Sequence, residues 1–179
     1  MSTPQWHESW FPELRGERPW LMEEMIDAEP SAAERIASNR KLAEVAERIA
    51  AKATAAHEAG EAITVVGCGT SEHGARAVAE LLDEAFGHRG VRVVGRESLE
   101  ASIDPAPGGL TIGISHDGGT RATLLALLAA REAGQKTALI TANDKGAVRE
   151  GADSTLATPV MDRSWCHTVA YLSAMTEIG

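Results

Sequence analysis

Two short stretches concentrate the residue types that bind small anions and polyols. In Gly67-Cys68-Gly69-Thr70-Ser71 an apolar β-branched run breaks into a glycine-rich turn, and a helical pattern follows at once. Glycines let a backbone approach a ligand closely, and hydroxyls together with the free amides of a new helix's first turn supply donors to an anion. Ser115-His116-Asp117-Gly118-Gly119-Thr120 repeats the arrangement after a second apolar run. Either stretch alone is explained by helix capping, because Ser, Thr and Asp are favoured there. Their recurrence between equivalent strand and helix patterns favours binding, with Gly69, Thr70, Ser71, Ser115 and Thr120 as the candidate donors.

The first stretch partly matches the dinucleotide fingerprint Gly-x-Gly-x-x-Gly, but Glu72 stands where the third glycine is needed for close helix-strand packing. Arg96 and Glu97 are thin support for a ribose or phosphate reader, so no cofactor is expected. Cys68, near a helix start, could have a lowered pKa, although a buried and inert thiol is the default for cysteine. His73 could meet a ligand or a neighbouring subunit, or simply lie on the helix surface. His167 is the most tempting general base, yet no acid can be placed beside it, and a solvent-facing or capped ring is the simpler reading. His7, His57 and His88 are scattered, so no metal site is expected.

The elements that must position these loops follow from periodicity. From Ile63 onward short apolar runs alternate with amphipathic stretches, the signature of strand-helix units and a parallel sheet. The pattern predicts strands over 63–67, 91–95, 110–115, 137–141 and 155–158, and helices over 72–86, 120–133 and, briefly, 145–150. Ala75, Val78, Leu81, Leu82 and Ala85 recur at helical spacing and mark a face packed on the sheet. The expected fold class is α/β, a three-layer α/β/α arrangement around a five-stranded, doubly wound parallel sheet. Ligands of such sheets sit at the strands' carboxyl ends near a topological switch point.

Upstream, 21–28 reads as a short helix ended by Pro30, and Ser31-Ala-Ala-Glu34 matches a capping box opening a longer helix to about residue 59. Residues 1–20 carry Trp6, Trp10 and Trp20 with Pro4, Pro12 and Pro19, which suits either an arm packed on another surface or a loose tail. The expected organisation is an arm (1–20) and a single domain (21–179), with a helical lead-in (21–60) and an α/β core (61–179).

Bulk properties narrow the function classes. A chain of 179 residues, 44% of them hydrophobic, suffices for one domain with a sizeable core. A net charge of -9 disfavours non-specific attraction to nucleic acid or anionic membranes. Cys68 and Cys166 are too few for a disulfide framework and lack metal-ligand spacing, which fits a reducing, cytoplasmic setting. No apolar run approaches the roughly 20 residues that span a bilayer, and a signal peptide is not recognisable. A soluble protein is expected.

These motifs also carry a family likeness. The chain resembles a sugar isomerase (SIS) domain, a flavodoxin-like phosphosugar-binding fold found in the isomerase half of glucosamine-6-phosphate synthase and in related deaminases and regulators. Gly67-Cys68-Gly69-Thr70-Ser71-Glu72-His73 matches that synthase family's Gly-Cys-Gly-Thr-Ser-x-His, and Ile114-Ser115-His116-Asp117-Gly118-Gly119-Thr120 resembles its Ile-Ser-Gln-Ser-Gly-Glu-Thr. The segment Met22 to Pro30 resembles the lead into that domain, so the likeness runs from Met22 to the end.

The resemblance implies sugar-phosphate contacts at Ser71, Ser115, His116, Asp117 and Thr120, with no catalytic residue assigned. Asp117 stands where the family has a phosphate-binding serine, and at about 4 to 5 Å and a dielectric near 20 it would oppose a phosphate by roughly 3 to 4 kcal/mol. A protonated His116 could offset this, or Asp117 could turn away and cap its helix. In Ser164 to Tyr171, Val169 replaces a family lysine, which also makes the region less anion-friendly. The likeness implies a sugar-phosphate-binding domain of an aminosugar-phosphate isomerase or deaminase acting on a ketose or aldose phosphate. It would lack a glutaminase domain, form a homo-oligomer such as a homodimer, and could be the first half of a double-SIS protein. The alternative it implies is a non-catalytic, phosphosugar-sensing module.

Overall fold

A computed structural model describes residues 15–90, 93–164 and 167–176. Two helices, α1 (Leu21–Ala37) and α2 (Arg40–Glu58), precede β1 (Ile63–Gly67), α3 (Thr70–Ala85), β2 (Val93–Glu97) and α4 (Ser98–Ile103). Then come β3 (Leu110–Ile114), α5 (Arg121–Glu132), β4 (Lys136–Thr141), a 3-10 turn (Ala147–Gly151), β5 (Ser154–Ala157) and α6 (Thr168–Thr176). The five strands form one sheet in the order β2-β1-β3-β4-β5, and every pairing is parallel. This is the expected doubly wound α/β sheet.

Of the three interior strands, β1 and β3 are buried along their whole length and β4 is buried beyond Lys136, as a sheet covered on two faces requires. Alternation then sorts the side chains. Ile63, Val65, Ile112, Ile114 and Ile140 join residues of α2, α3 and α6, including Ile49, Val78 and Ala174, in one core. Val66 turns to the other face with Ala101 of α4 and Ala126 of α5, and Leu139 packs there with Leu127 and Val148. Outside the first layer, α1 lies against α6, where Met25, Ala32 and Val169 form a separate cluster.

Helix α1 departs from expectation by running unbroken through Pro30. An interior proline removes a hydrogen bond and costs about 3 kcal/mol. However, Leu21, Met25, Ala32 and Ile36 are buried on both sides of it, and the three large ones contribute roughly 1.5–3 kcal/mol each. Pro30 itself is exposed, so water can reach the carbonyl it leaves free. Ser31 is consequently no cap: its hydroxyl donates back to the Ala28 carbonyl at 3.0 Å. The break falls at Asn39, whose side chain accepts from the Lys41 and Leu42 amides at 3.1 and 3.4 Å.

A second departure is at β2 and α4. The strand runs on to Glu97, and Val91 of the expected strand lies outside the described residues. The Glu97 carboxylate then caps α4 through the Leu99 and Glu100 amides at 2.6 and 3.2 Å, a structural role rather than that of a ribose or phosphate reader. Trp20 is 40% exposed; Trp6, Trp10, Pro4 and Pro12 lie outside the described residues. No helix among the described residues is long and apolar enough to cross a membrane.

The corrected boundary is testable by chemical denaturation. Asn39→Ala should cost about 1 kcal/mol, the usual worth of a side-chain cap, whereas Ser31→Ala should stay within about 0.5 kcal/mol, as an exposed substitution does.

Candidate functional site

The two loops singled out by sequence open at adjacent strands. β1 pairs directly with β3, while the chain leaves β1 toward β2 and leaves β3 toward β4, so the carboxyl ends of β1 and β3 form the sheet's switch point. Helix α3 starts at Thr70 behind one, and α5 at Arg121 behind the other.

Local chemistry keeps both helix starts open. At Gly69, which turns with φ of 61°, there is no side chain to cap α3. Thr120 occupies the equivalent place before α5 and makes no side-chain cap bond either. Its hydroxyl instead accepts from Ser115 Oγ at 3.3 Å. By contrast, α2 and α4 are capped by Asn39 and Glu97, and first-turn amides of α6 are taken by Asp162. The unpaired amides of α3 and α5 and the positive ends of their dipoles therefore meet at the switch point. Thr70 and Ser71 are half-buried, Gly69 is exposed, and Ser115 is buried.

The second loop is held rigidly. The His116 carbonyl accepts from the Ala142 amide at 2.9 Å and from Thr141 Oγ1 at 3.2 Å. Asn143 Nδ2 donates to the Asp117 carbonyl at 2.9 Å, and the Val148 amide to the Gly118 carbonyl at 2.9 Å. Asp117 is exposed, and its Oδ1 accepts from the Gly119 amide at 2.9 Å. That bond ties the carboxylate into its own turn.

His116 lies on the opposite side of the strand end from Ser115, toward α6. Its ring is buried, with Nε2 accepting from the Asp162 amide at 2.6 Å. An accepting Nε2 carries no proton, so the neutral ring's proton sits on Nδ1. Burial, and then the neighbouring His167, push its pKa below the ordinary histidine value. A protonated His116 offsetting Asp117 is therefore not what this environment favours.

Three other sequence readings change. Val169 is fully buried against Met25 and Ala32, so it is a packing residue between α6 and α1. Cys68 is exposed; partial burial of its sulfur, followed by the charges of Glu97 and Glu72, holds its pKa above the usual thiol value, the opposite of activation. His167 is half-buried, its ring centroid 5.1 Å from that of His116. His73 is exposed on α3, and Trp165 and Cys166 lie outside the described residues. Glu72 pairs with Arg76 at 2.7 Å one helical turn on. Among the described residues no three His, Cys, Asp or Glu side chains converge as a metal ion would need. An apolar cavity of about 330 Å³, lined by Ile36, Leu42, Ile49 and Leu82 among others, shares no residue with either loop.

Sequence reasoning missed Asn143 and Asp162. The first sits in an Asn-Asp turn after β4, a turn signal that tells nothing of its cross-loop bond. Asp162 is more deeply hidden, because its cap bond to Val169 spans seven residues.

The state of His116 has a measurable consequence. Its folded pKa is depressed, so between that value and the unfolded value near 6.5 the unfolded chain binds more protons, and stability falls as pH drops below about 6.5. His88, raised by its hydrogen bond to Asp83, works in the opposite direction, so comparison with a variant is required. Thermal melts at pH 7 and pH 5 should show a smaller acid-induced loss for His116→Gln than for the parent chain; equal losses would contradict the assignment.

Among solved structures the fold is similar to tagatose-6-phosphate ketose/aldose isomerase from Escherichia coli, with a TM-score of 0.67 and 20% identity over 92% of this chain and 47% of that one. It is similar to the C-terminal domain of glucosamine-fructose-6-phosphate aminotransferase from Francisella tularensis, with a TM-score of 0.65 and 17% identity over 91% of this chain and 46% of that one. It also resembles glucosamine-6-phosphate deaminase from Thermotoga maritima, with a TM-score of 0.62 and 17% identity over 86% of this chain and 47% of that one. The chain thus spans about half the length of these structures, and at such identities the likeness shows the fold. No curated protein sequence matches it. A family model described as SIS domain matches residues 57–178, more than half of the sequence, and the chain belongs to that family.

Proposed function

We propose that the chain binds a sugar phosphate at the switch point between β1 and β3. The observation that carries this reading is the pair of helix starts, α3 and α5, that open there without side-chain caps. The phosphate takes the amides of the α3 turn at Gly69, Thr70 and Ser71, together with the hydroxyls of Ser71, Ser115 and Thr120. His116 and Asp117 flank the sugar. Similarity in fold to a ketose/aldose isomerase of a sugar phosphate and to a deaminase of an aminosugar phosphate supports this ligand class. The chemistry is that of an aminosugar-phosphate isomerase or deaminase domain acting on a ketose or aldose phosphate. The chain works as a homo-oligomer in the cytoplasm.

Asp117 shapes the choice of ligand. Its carboxylate is exposed and occupied by the Gly119 amide, so solvent screens it and its repulsion of a phosphate falls to about 1 kcal/mol.

Thermal shifts test the proposal with fructose 6-phosphate, inorganic phosphate, fructose and NADPH as probes. Fructose 6-phosphate at a hundred times its Kd should stabilise the fold by about 2.7 kcal/mol, and fructose at the same concentration should not. Stabilisation by NADPH alone, or by no phosphorylated probe, would overturn the reading. Asp117→Ser should tighten fructose 6-phosphate binding roughly fivefold, the equivalent of about 1 kcal/mol, with fructose unaffected.

A further inference from the structure

The segment between β5 and α6 holds a group of polar side chains that the phosphate site does not use. Asp162 is 5% exposed, yet every bond it makes is accounted for. Oδ1 accepts from the Ser164 amide at 2.8 Å and the Ser164 hydroxyl at 2.7 Å, and Oδ2 from the Val169 and Ala170 amides at 2.8 and 3.4 Å. Its own amide donates to His116 Nε2. One residue therefore closes the segment into a ring, starts α6 and fixes the tautomer of a histidine 46 positions away in sequence.

The same closure brings His167 onto His116, with ring planes inclined at 48°. His167 has φ of 47°, a left-handed conformation that costs a residue with a Cβ about 1–2 kcal/mol. Backbone strain of this kind gathers at functional sites. The start of α6 also lies beside the start of α3: a Cβ built on Gly74 would sit 3.8 Å from Tyr171 Cδ2. The segment's cation is drawn away from the pair, since Arg163 reaches Glu24 of α1 at 3.5 Å.

We propose that Asp162 is a positioning residue that holds His116 and His167 as one wall of the site, where the two imidazoles recognise the sugar's hydroxyl and carbonyl oxygens rather than its phosphate. This rests on the sugar-phosphate reading above. Among the described residues His116 Nδ1–H has no hydrogen-bond partner, and a neutral ring offers a hydroxyl a donor without offering a phosphate a charge. The division of labour follows: helix amides and hydroxyls for the anion, paired imidazoles for the sugar.

Titration calorimetry with inorganic phosphate and fructose 6-phosphate separates the two functions. Asp162→Asn keeps the side chain's size but replaces one accepting oxygen with an amide that cannot accept from a backbone N–H. It should weaken fructose 6-phosphate binding at least tenfold and change phosphate binding less than twofold. Ring nitrogen NMR should show the Nδ1–H tautomer of His116 less firmly held, because the side-chain bonds that seat the residue 162 amide against Nε2 are weakened. His167→Asn is the second variant, because asparagine tolerates the left-handed backbone. It should show the same split between the two ligands, whether or not Asp162→Asn folds. If the parent chain binds both probes and His167→Asn binds them as the parent does, the two-histidine wall is wrong while the sugar-phosphate reading stands. If the parent chain binds neither probe, both readings fall.

Discussion

The structure depends on how closely α3 lies against the sheet. A Cβ at position 67 would sit 2.1 Å from the Ser71 carbonyl oxygen, and one at position 95 would sit 2.5 Å from the Arg76 Cα. No side chain fits either space, so glycine at the end of β1 and within β2 is what allows the helix to cover both strands. The consequence reaches the site directly. Because the helix begins only three residues beyond the strand, with Gly69 making the turn, its unpaired amides come at the sheet's edge rather than at the tip of a long loop. β3 and α5 reach the same geometry by a longer route, through a loop pinned by Thr141 and Asn143.

This arrangement provides an anion site without a buried cation. Arg121, the basic residue nearest the second loop in sequence, and Lys145, in the turn after β4, are exposed, and the chain as a whole carries a net charge of -9. A helix terminus contributes roughly 0.3–1 kcal/mol to holding an anion at an exposed place and up to about 2 kcal/mol when partly buried. Two such termini can outweigh a screened Asp117, but not by a large margin. The phosphate contacts must therefore be supplemented by contacts to the uncharged part of the ligand, neither set sufficing alone, and that requirement is what gives the histidine side of the site its importance.

The sheet was legible because its strands are near-continuous runs of β-branched and apolar residues, as with Ile63 to Gly67, separated by glycine-rich turns. The adjacency of the Ser71 and Ser115 loops followed from that pattern and from the doubly wound order. Where sequence misled, tertiary packing overrode a local signal. Pro30 and Ser31 look like a helix boundary, yet burial of Leu21, Met25 and Ile36 keeps α1 whole. Glu97 stands where a ribose or phosphate reader could be sought, although its carboxylate is taken up in capping α4. The charge state of His116 was beyond sequence altogether, since it depends on burial and on an amide contributed from far along the chain.

The same long-range bonds explain why Val169 stands where the family likeness led to a lysine. Its side chain is fully buried between α6 and α1, and its amide is held by Asp162 Oδ2 at 2.8 Å. A lysine there would place an ammonium in an apolar cluster with Met25 and Ala32, and burying an unpaired charge costs several kcal/mol. The α1 layer and the site are thus joined through two neighbouring features of one segment. Val169 packs α6 against α1, while Asp162 ties the start of α6 to His116. An unbroken α1 that covers Val169 helps to hold the segment that positions the histidine, so the proline-containing helix outside the sheet bears on how the switch point is furnished.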